Sequence, residues 1–404
     1  MPGFEWFGAE ERKQVQDVLD TGVLMRYGFD AARNGVWKAK ELEQEINKYF
    51  GCNYSQLTSS GTAALTTVMA AMGIGYGDEI IMPTFTFVAS FEAVISIGAI
   101  PVLVDVDNTM TLNPDAVIAA ITPKTKCVMP VHMCGSMANL DALTAICAEH
   151  KLWLLEDACQ SIGGTYNGKK LGSIGNAGTF SFDYVKTMTC GEGGVVMMND
   201  LDLYEKCDGY TDHGHDHKGT DRGADLHPFI GYNFRISELQ AAVGLAQIKK
   251  VDAILAKQKE HCDILKSYLT QIPDITFRVI PQGGVDTCSF LSWFLPTEDI
   301  TRAAVKELAA LNQTGNFYWF DNNWHYIRKW GHLKNSLTLN KLHPNHKAAV
   351  IAAVSKQFPI SDAIMGRCVS TAISLTWTTQ QLHAKGAAMK QAIQTALINA
   401  TITA

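Results

Sequence analysis

The chain has 404 residues, 47% of them hydrophobic, and its 34 Lys and Arg against 40 Asp and Glu give a formal net charge of −6. That length supports a core for two or three domains, and a mildly acidic balance without a basic tract argues against a nucleic-acid partner. The start, Met1 to Asp20, lacks the pattern of a secretory leader, no apolar run is long enough to span a membrane, and the 10 cysteines, Cys52 to Cys368, include no CxxC pair, which predicts reduced thiols in a cytoplasmic protein without a metal or iron–sulfur centre.

Ser59-Ser60 read as the cap of a helix over 61–72. A short buried strand is expected over 79–83, a helix over 87–97 and a strand over 100–104. Another strand follows over 127–131, a helix over about 140–150, and a strand over 152–155 that ends in Glu156-Asp157. Short apolar strands alternating with helices predict a parallel sheet with right-handed crossovers. After a strand over 177–182, the next, over 195–198, comes too soon for an ordinary crossover helix. Those two strands pair across the loop, or lie close with one antiparallel. Residues 209–231 form a Gly/Asp/His-rich loop of a length that is usually functional. One long helix is expected from Ser237 to about Ser267, and a smaller domain restarts near 270. The division is a large domain over 1–250, N-terminal segment included, and a small C-terminal domain over 251–404.

Four features fall where such a sheet binds ligands, beyond the carboxyl ends of its strands. Ser59-Ser60-Gly61-Thr62 opens a helix, where free N–H groups and the helix dipole favour a phosphate, although a plain capped helix has the same residues. Asp157, in Glu156-Asp157-Ala158-Cys159-Gln160, can pair with a protonated ring nitrogen and make a heterocycle an electron sink, or simply face solvent at a strand end. Lys186, between a buried strand and Gly191-Glu192-Gly193-Gly194, becomes a nucleophilic amine if partly desolvated; a lysine on its own is usually a surface charge. Gly231-Tyr232-Asn233-Phe234-Arg235 suits anion contacts or caps the next helix.

In this order the four resemble the DegT/DnrJ/StrS family of sugar aminotransferases that depend on pyridoxal 5′-phosphate (PLP). The resemblance rests on SSGTAAL, PTFTFVAS, EDACQ, SFDYVKTMTCGEGG and GYNFR, and covers roughly residues 55–245. It implies an α/β fold of type I, with a mainly parallel seven-stranded sheet, a smaller C-terminal α/β domain and a homodimer. By the same resemblance Lys186 holds PLP as a Schiff base and is the catalytic residue, Asp157 pairs with the pyridine nitrogen, Gln160 lies near the ring hydroxyl and Phe87 stacks on the ring. Ser60, Gly61, Thr62 and Ser181 hold the phosphate, and Asn233 reaches the phosphate of the neighbouring subunit. The amino donor implied is L-glutamate and the acceptor a keto-sugar, in two half-reactions with Lys186 as base and then acid.

The segments RYGFDAARNGVWK, VHMCGSMANLD, DHGHDHKGTDRGA and FYWFDNNWHY look like one branch of the family. That branch aminates 3,8-dideoxy-8-oxo-octulosonate to an 8-amino sugar acid for lipopolysaccharide. A nucleotide-linked keto-sugar is the alternative acceptor. A sugar acid needs a cation, and Arg26, Arg33 and Arg222 are the candidates, although the commoner role of such arginines is a surface or inter-subunit salt bridge. The His-rich loop His213, His215, Asp216 and His217 superficially resembles a metal site but is also what a plain polar loop looks like, and His213 and His215 are expected to meet substrate rather than metal. Tyr318, Trp319, Trp324 and His325 are expected as substrate wall or core aromatics. A dehydratase of the same fold is set aside because position 186 is Lys where those relatives have His. A non-catalytic PLP-fold regulator is the rival of another class.

Overall fold

A computed structural model describes residues 3–403 apart from 220, 336 and 340. The central sheet comprises β1 (Tyr54–Thr58), β2 (Glu79–Pro83), β3 (Ile100–Val104), β4 (Thr125–Val128) and β5 (Trp153–Asp157). A small hairpin follows, β6 (Thr165–Tyr166) and β7 (Lys169–Lys170), and then β8 (Ala177–Ser181) and β9 (Gly194–Met198). The seven long strands are ordered β1-β9-β8-β5-β4-β2-β3. The block from β3 to β8 is parallel, whereas β9 runs antiparallel to both β8 and β1. Strands covered on both faces become continuous apolar runs; Ile80, Ile81, Met82, Val195, Val196 and Met197 are all buried.

Three expectations are corrected. β5 continues to Asp157, so both carboxylates belong to the strand and point to opposite faces. The helix expected from 237 is two helices, Glu238–Ile248 and Val251–Leu269. The break sits at Lys249-Lys250, where Lys250 Nζ reaches the Trp6 carbonyl at 2.9 Å and Glu11 at 2.7 Å and ties the turn to the N-terminal helix. The loop expected from 209 begins later, because the helix Leu201–Thr211, capped by Asp200, extends into it.

The C-terminal part has an antiparallel sheet of β10 (Thr276–Phe277), β12 (Phe290–Phe294), β13 (Asn316–Phe317) and β14 (Cys368–Ala372), ordered β10-β12-β14-β13. Between β10 and β12 in sequence, β11 (Gly284–Val285) instead joins β6. Helices Val251–Leu269, Glu298–Ala310 and Thr379–Thr403 enclose a separate core around Trp293, Leu308 and Met389. Residues 319–365 do otherwise: Trp319, Tyr326, Trp330, Val350 and Met365 bury into the core of the central sheet with Phe85, Phe91 and Leu103. Backbone bonds from Thr86 N to the His325 carbonyl, 3.1 Å, and from Val88 N to the Trp324 carbonyl, 2.8 Å, fasten this excursion over the start of the helix Val88–Ser96. One wall of the site is thereby built.

Candidate active site

The two carboxylates at the end of β5 meet different surroundings. Glu156 is fully buried, accepts N–H bonds from Gly172, Ile174 and Gly175 and sits 3.0 Å from His132 Nε2. Burial alone would favour its neutral form, but the His132 ring and these N–H groups hold the carboxyl below its ordinary range. It is a structural anchor. Asp157 faces a cavity of about 640 Å³. It receives Ser90 Oγ at 2.6 Å and the Cys159 N–H at 3.2 Å.

A helix N-terminus lines the same cavity. Ser60 caps the helix Gly61–Ala71, its Oγ accepting the Ala63 N–H at 3.0 Å. The N–H groups of Gly61 and Thr62, in the first turn, have no partner within the helix. The helix start is pressed onto the ends of β8 and β9: a Cβ at Gly61 would stand 2.7 Å from Ser181 Cβ, and one at Gly194 would stand 2.5 Å from the Ser60 carbonyl oxygen. Backbone approaches the space beside Ser181 as an anion cradle requires.

Lys186 stands on the loop between β8 and β9. The loop is closed by Phe182 N to Gly193 O at 2.8 Å and Cys190 N to Phe182 O at 3.0 Å, and Lys186 N–H bonds the Asp183 carbonyl at 3.0 Å. Its amine lies 5.9 Å from the centroid of Phe87, the extended residue just before the helix Val88–Ser96. Gln160 lines the same cavity and accepts the Cys134 N–H at 3.0 Å. Trp319 and His325 complete a wall, 4.6 Å apart between ring centroids, with His325 Nδ1 3.0 Å from Asn322 Oδ1. Burial and the neighbouring Lys186 charge pull the imidazole down to about 3, so it is neutral at working pH.

Ser60, Gly61, Thr62, Phe87, Asp157, Gln160, Ser181, Lys186, Trp319 and His325 therefore share one cavity. The other predicted residues lie elsewhere. Arg26 is buried, 2.9 Å from Glu43, and Arg33 is buried against Glu238 at 3.6 Å while stacking on Trp37. Both guanidiniums are thus already paired within the chain. Arg222, with Arg235 and His217, converges on Asp212. His215 is 3.2 Å from Asp225, the His213 carbonyl faces His227, and Asn233 is exposed on the same loop. Tyr318 turns away, its hydroxyl donating to the Gly366 carbonyl at 2.9 Å. Among the described residues no group of three His, Cys, Asp or Glu side chains is placed to hold a metal, and no helix is long and apolar enough to cross a membrane.

Sequence reasoning missed Phe4, Ser90, Asp183, Glu192, Phe290, Phe317 and Asn322, which also line the cavity. Ser90, Asp183 and Glu192 lie inside the motifs PTFTFVAS, SFDYVK and GEGG and could have been found there by asking which neighbours share a face. Phe317 and Asn322 lie inside FYWFDNNWHY and could have been found the same way, whereas Phe4 and Phe290 carry no such signal.

A lysine, a buried aspartate and a glycine-packed anion cradle lining one cavity, on this sheet, define a PLP-dependent enzyme of fold type I. The chain belongs to the DegT/DnrJ/EryC1/StrS aminotransferase family, whose model matches residues 7–384. It is similar to the GDP-perosamine synthase of Caulobacter vibrioides, 41% identical over 250 residues, which are 62% of this chain and 64% of that one. The 3-amino-5-hydroxybenzoate synthase of Amycolatopsis mediterranei is 36% identical over 284 residues, 70% of each chain. The crystal structure of a 3-amino-5-hydroxybenzoic acid synthase superposes with a TM-score of 0.80 at 29% identity, covering 96% of this chain and 97% of that one. The protein is an aminotransferase, and its cofactor is pyridoxal phosphate.

Proposed function

We propose that this aminotransferase moves an amino group from L-glutamate to a keto-sugar, and that the acceptor is 3,8-dideoxy-8-oxo-octulosonate, giving the 8-amino sugar acid used in lipopolysaccharide. The observation that carries the transfer itself is the placement of Lys186, Asp157 and the Gly61–Thr62 cradle around one cavity. Asp157 would hold the ring nitrogen, Gly61, Thr62 and Ser181 the phosphate, Phe87 the ring face and Gln160 the ring hydroxyl. Bound there, the cofactor would supply an electron sink for negative charge developing at the donor's α-carbon. Lys186 takes the proton from that carbon and returns it on the other side of the exchange, as base and then acid. The neutral His325 and the aromatic wall of Trp319 and Phe87 exclude water without adding charge.

The branch-like segments support the sugar acid as acceptor. A nucleotide-linked keto-sugar is favoured by a separate observation, the similarity to a GDP-perosamine synthase. We place Asn233, His213, His215 and Arg222 at a homodimer interface, where a second copy would bring Asn233 to the partner cavity. The exposed Leu226, Ile230 and Tyr232 beside Asn233 support this apolar contact. The 10 cysteines are all unbridged, in keeping with a reducing cytoplasm.

Glutamate added to the purified holoenzyme should bleach the cofactor's absorption band, and a keto-sugar acceptor should restore it. Recovery with the 8-oxo acid and not with nucleotide-linked keto-sugars supports the sugar acid; the reverse transfers the acceptor assignment to the nucleotide sugar. No bleaching by glutamate refutes the donor.

A further inference from the structure

The main cavity is poor in positive charge. Its wall carries the carboxylates of Asp157, Asp183 and Glu192 against one lysine, Lys186. Either proposed acceptor is an anion at the end remote from its carbonyl, a carboxylate in one case and a diphosphate in the other. Leaving such a group unpaired inside a protein is costly. Arg26 and Arg33 are held by Glu43 and Glu238 and do not line the cavity.

A smaller cleft of about 380 Å³ adjoins the cavity. Trp324 lines both, and Val88 of the cleft lies in sequence between Phe87 and Ala89 of the cavity. The rest of the cleft is Asn323, Lys329, Gly331 and His332. The indole of Trp324 is 56% exposed, an apolar plate at the junction. The two cations are loosely held. Lys329 Nζ lies 3.5 Å from Asp321, whose carboxylate is already engaged by Arg302 at 2.5 Å. His332 lies 3.6 Å from Glu92, with both side chains nearly half exposed. Long, solvated pairs of this kind contribute little and exchange partners readily. Positive charge accumulates around them: burial, Arg328 and Lys329 together hold the Lys334 amine below its ordinary value. By contrast Lys206, in another cavity, is bound to Asp202 at 2.6 Å, and that cavity shares no lining residue with the main one.

We propose that this cleft is the subsite for the acceptor's anionic end, with Lys329 and His332 meeting the charge and Trp324 guiding the chain of the sugar from one compartment to the other. The proposal rests on the keto-sugar reading above. Its shared chemistry is a charged oxygen group, whether the carboxylate of a sugar acid or the diphosphate of a nucleotide.

The test uses the holoenzyme and follows each half-reaction in single turnover through the cofactor's colour. Lys329→Ala and His332→Ala should each raise the half-saturating concentration of the anionic acceptor about tenfold, the loss expected for one charge-assisted hydrogen bond. Lys329→Arg should recover most of that loss, and a neutral keto-sugar of similar length should be unaffected by any of the three. Run in parallel, the 8-oxo acid and a nucleotide-linked keto-sugar distinguish the source, since the true acceptor is the one whose saturation moves. Calorimetric binding of a nucleoside diphosphate and of unoxidised 3-deoxy-octulosonate to the same proteins gives a readout free of turnover. Wild-type holoenzyme that reacts with glutamate and then aminates neither acceptor would overturn the keto-sugar reading, while the calorimetry still decides on the cleft. Unchanged saturation and unchanged binding in the Lys329→Ala/His332→Ala double variant, or an equal loss for the neutral sugar, would overturn the subsite.

Discussion

Asp157 and Asp212 are both buried aspartates, and they are partnered in opposite ways. Asp212 is saturated: Arg222 bonds both of its oxygens, Arg235 bonds Oδ1 and His217 bonds Oδ2. Burial would raise its pKa, but Arg222, His217 and Arg235 hold the carboxyl far below its ordinary range. Asp157, also almost wholly buried, has a serine hydroxyl and one N–H, and among the described residues no Lys, Arg or His pairs with it. A buried charge without a counter-charge is expensive. The protein tolerates one at the cavity, where the cofactor's ring nitrogen would complete it, and fills the other at the root of the His-rich loop. The difference separates a group kept for chemistry from one that holds a loop in place.

The comparison can be broken most sharply at the cavity. Lys186→Ala should lower transamination by roughly a thousandfold or more while leaving the fold intact, because it removes the proton carrier and the nucleophile together. Borohydride-reduced wild-type protein should carry its cofactor label on Lys186; a label on another lysine would sink the assignment. Asp157→Asn comes next. It should cost about a hundredfold in turnover, in the range of losing one aligned electrostatic partner, with little change in melting temperature. Asp212→Asn should do the reverse, costing about 1–3 kcal/mol of stability by stranding three partly buried cations, and its glutamate half-reaction should be slowed far less than that of Asp157→Asn. Equal losses of stability in Asp157→Asn and Asp212→Asn would remove the distinction.

Much of the cavity was legible because its parts are local. A Gly after a serine cap, a lysine after a buried strand and an acid at a strand end each announce themselves within a few residues. The parallel strands were readable because burial on both faces forces unbroken apolar runs, as in β2 after Glu79. β1 did not stand out, since Ser55 and Gln56 are buried there as polar residues, Ser55 Oγ donating to the Glu43 carbonyl and Gln56 Nε2 to Thr211 Oγ1. The break at Lys249-Lys250 carried no signal, because lysine is a good helix former and the cause lies far away at Trp6 and Glu11. The partners of Arg26 and Arg33 were equally hidden. An arginine's wish for a carboxylate is visible in a sequence, but which carboxylate reaches it is decided by tertiary packing. The wall from Trp319 to His325 could be seen as aromatic, yet only the backbone bonds to Thr86 and Val88 make it a wall of this site.

The smallest effect, and the one most specific to the saturated aspartate, is a pH dependence carried by His217. Its ring bridges two carboxylates, Nδ1 to Asp208 at 2.6 Å and Nε2 to Asp212 at 3.0 Å. Burial works against its charge, but Asp208 and Asp212 outweigh burial and raise the imidazole from 6.5 to about 9. A folded-state pKa above the unfolded one means that folding binds a proton more tightly, so the bridge stabilises fully below about 6.5, and its contribution is lost as pH rises through about 9. Asp212 has the opposite sign, its contribution being present above its ordinary value of 3.8 and lost on acidification. The stabilisation by the bridge should therefore be greatest in mildly acidic to neutral solution. His217→Gln keeps a hydrogen-bonding side chain but cannot carry the charge. Its melting temperature should fall below that of the wild type by the equivalent of about 1–2 kcal/mol near pH 6, and the two curves should converge by pH ~9.5. A gap that stays constant between those pH values would mean that His217 acts through packing against Tyr27, whose ring stacks on it at 4.3 Å, and not through its proton.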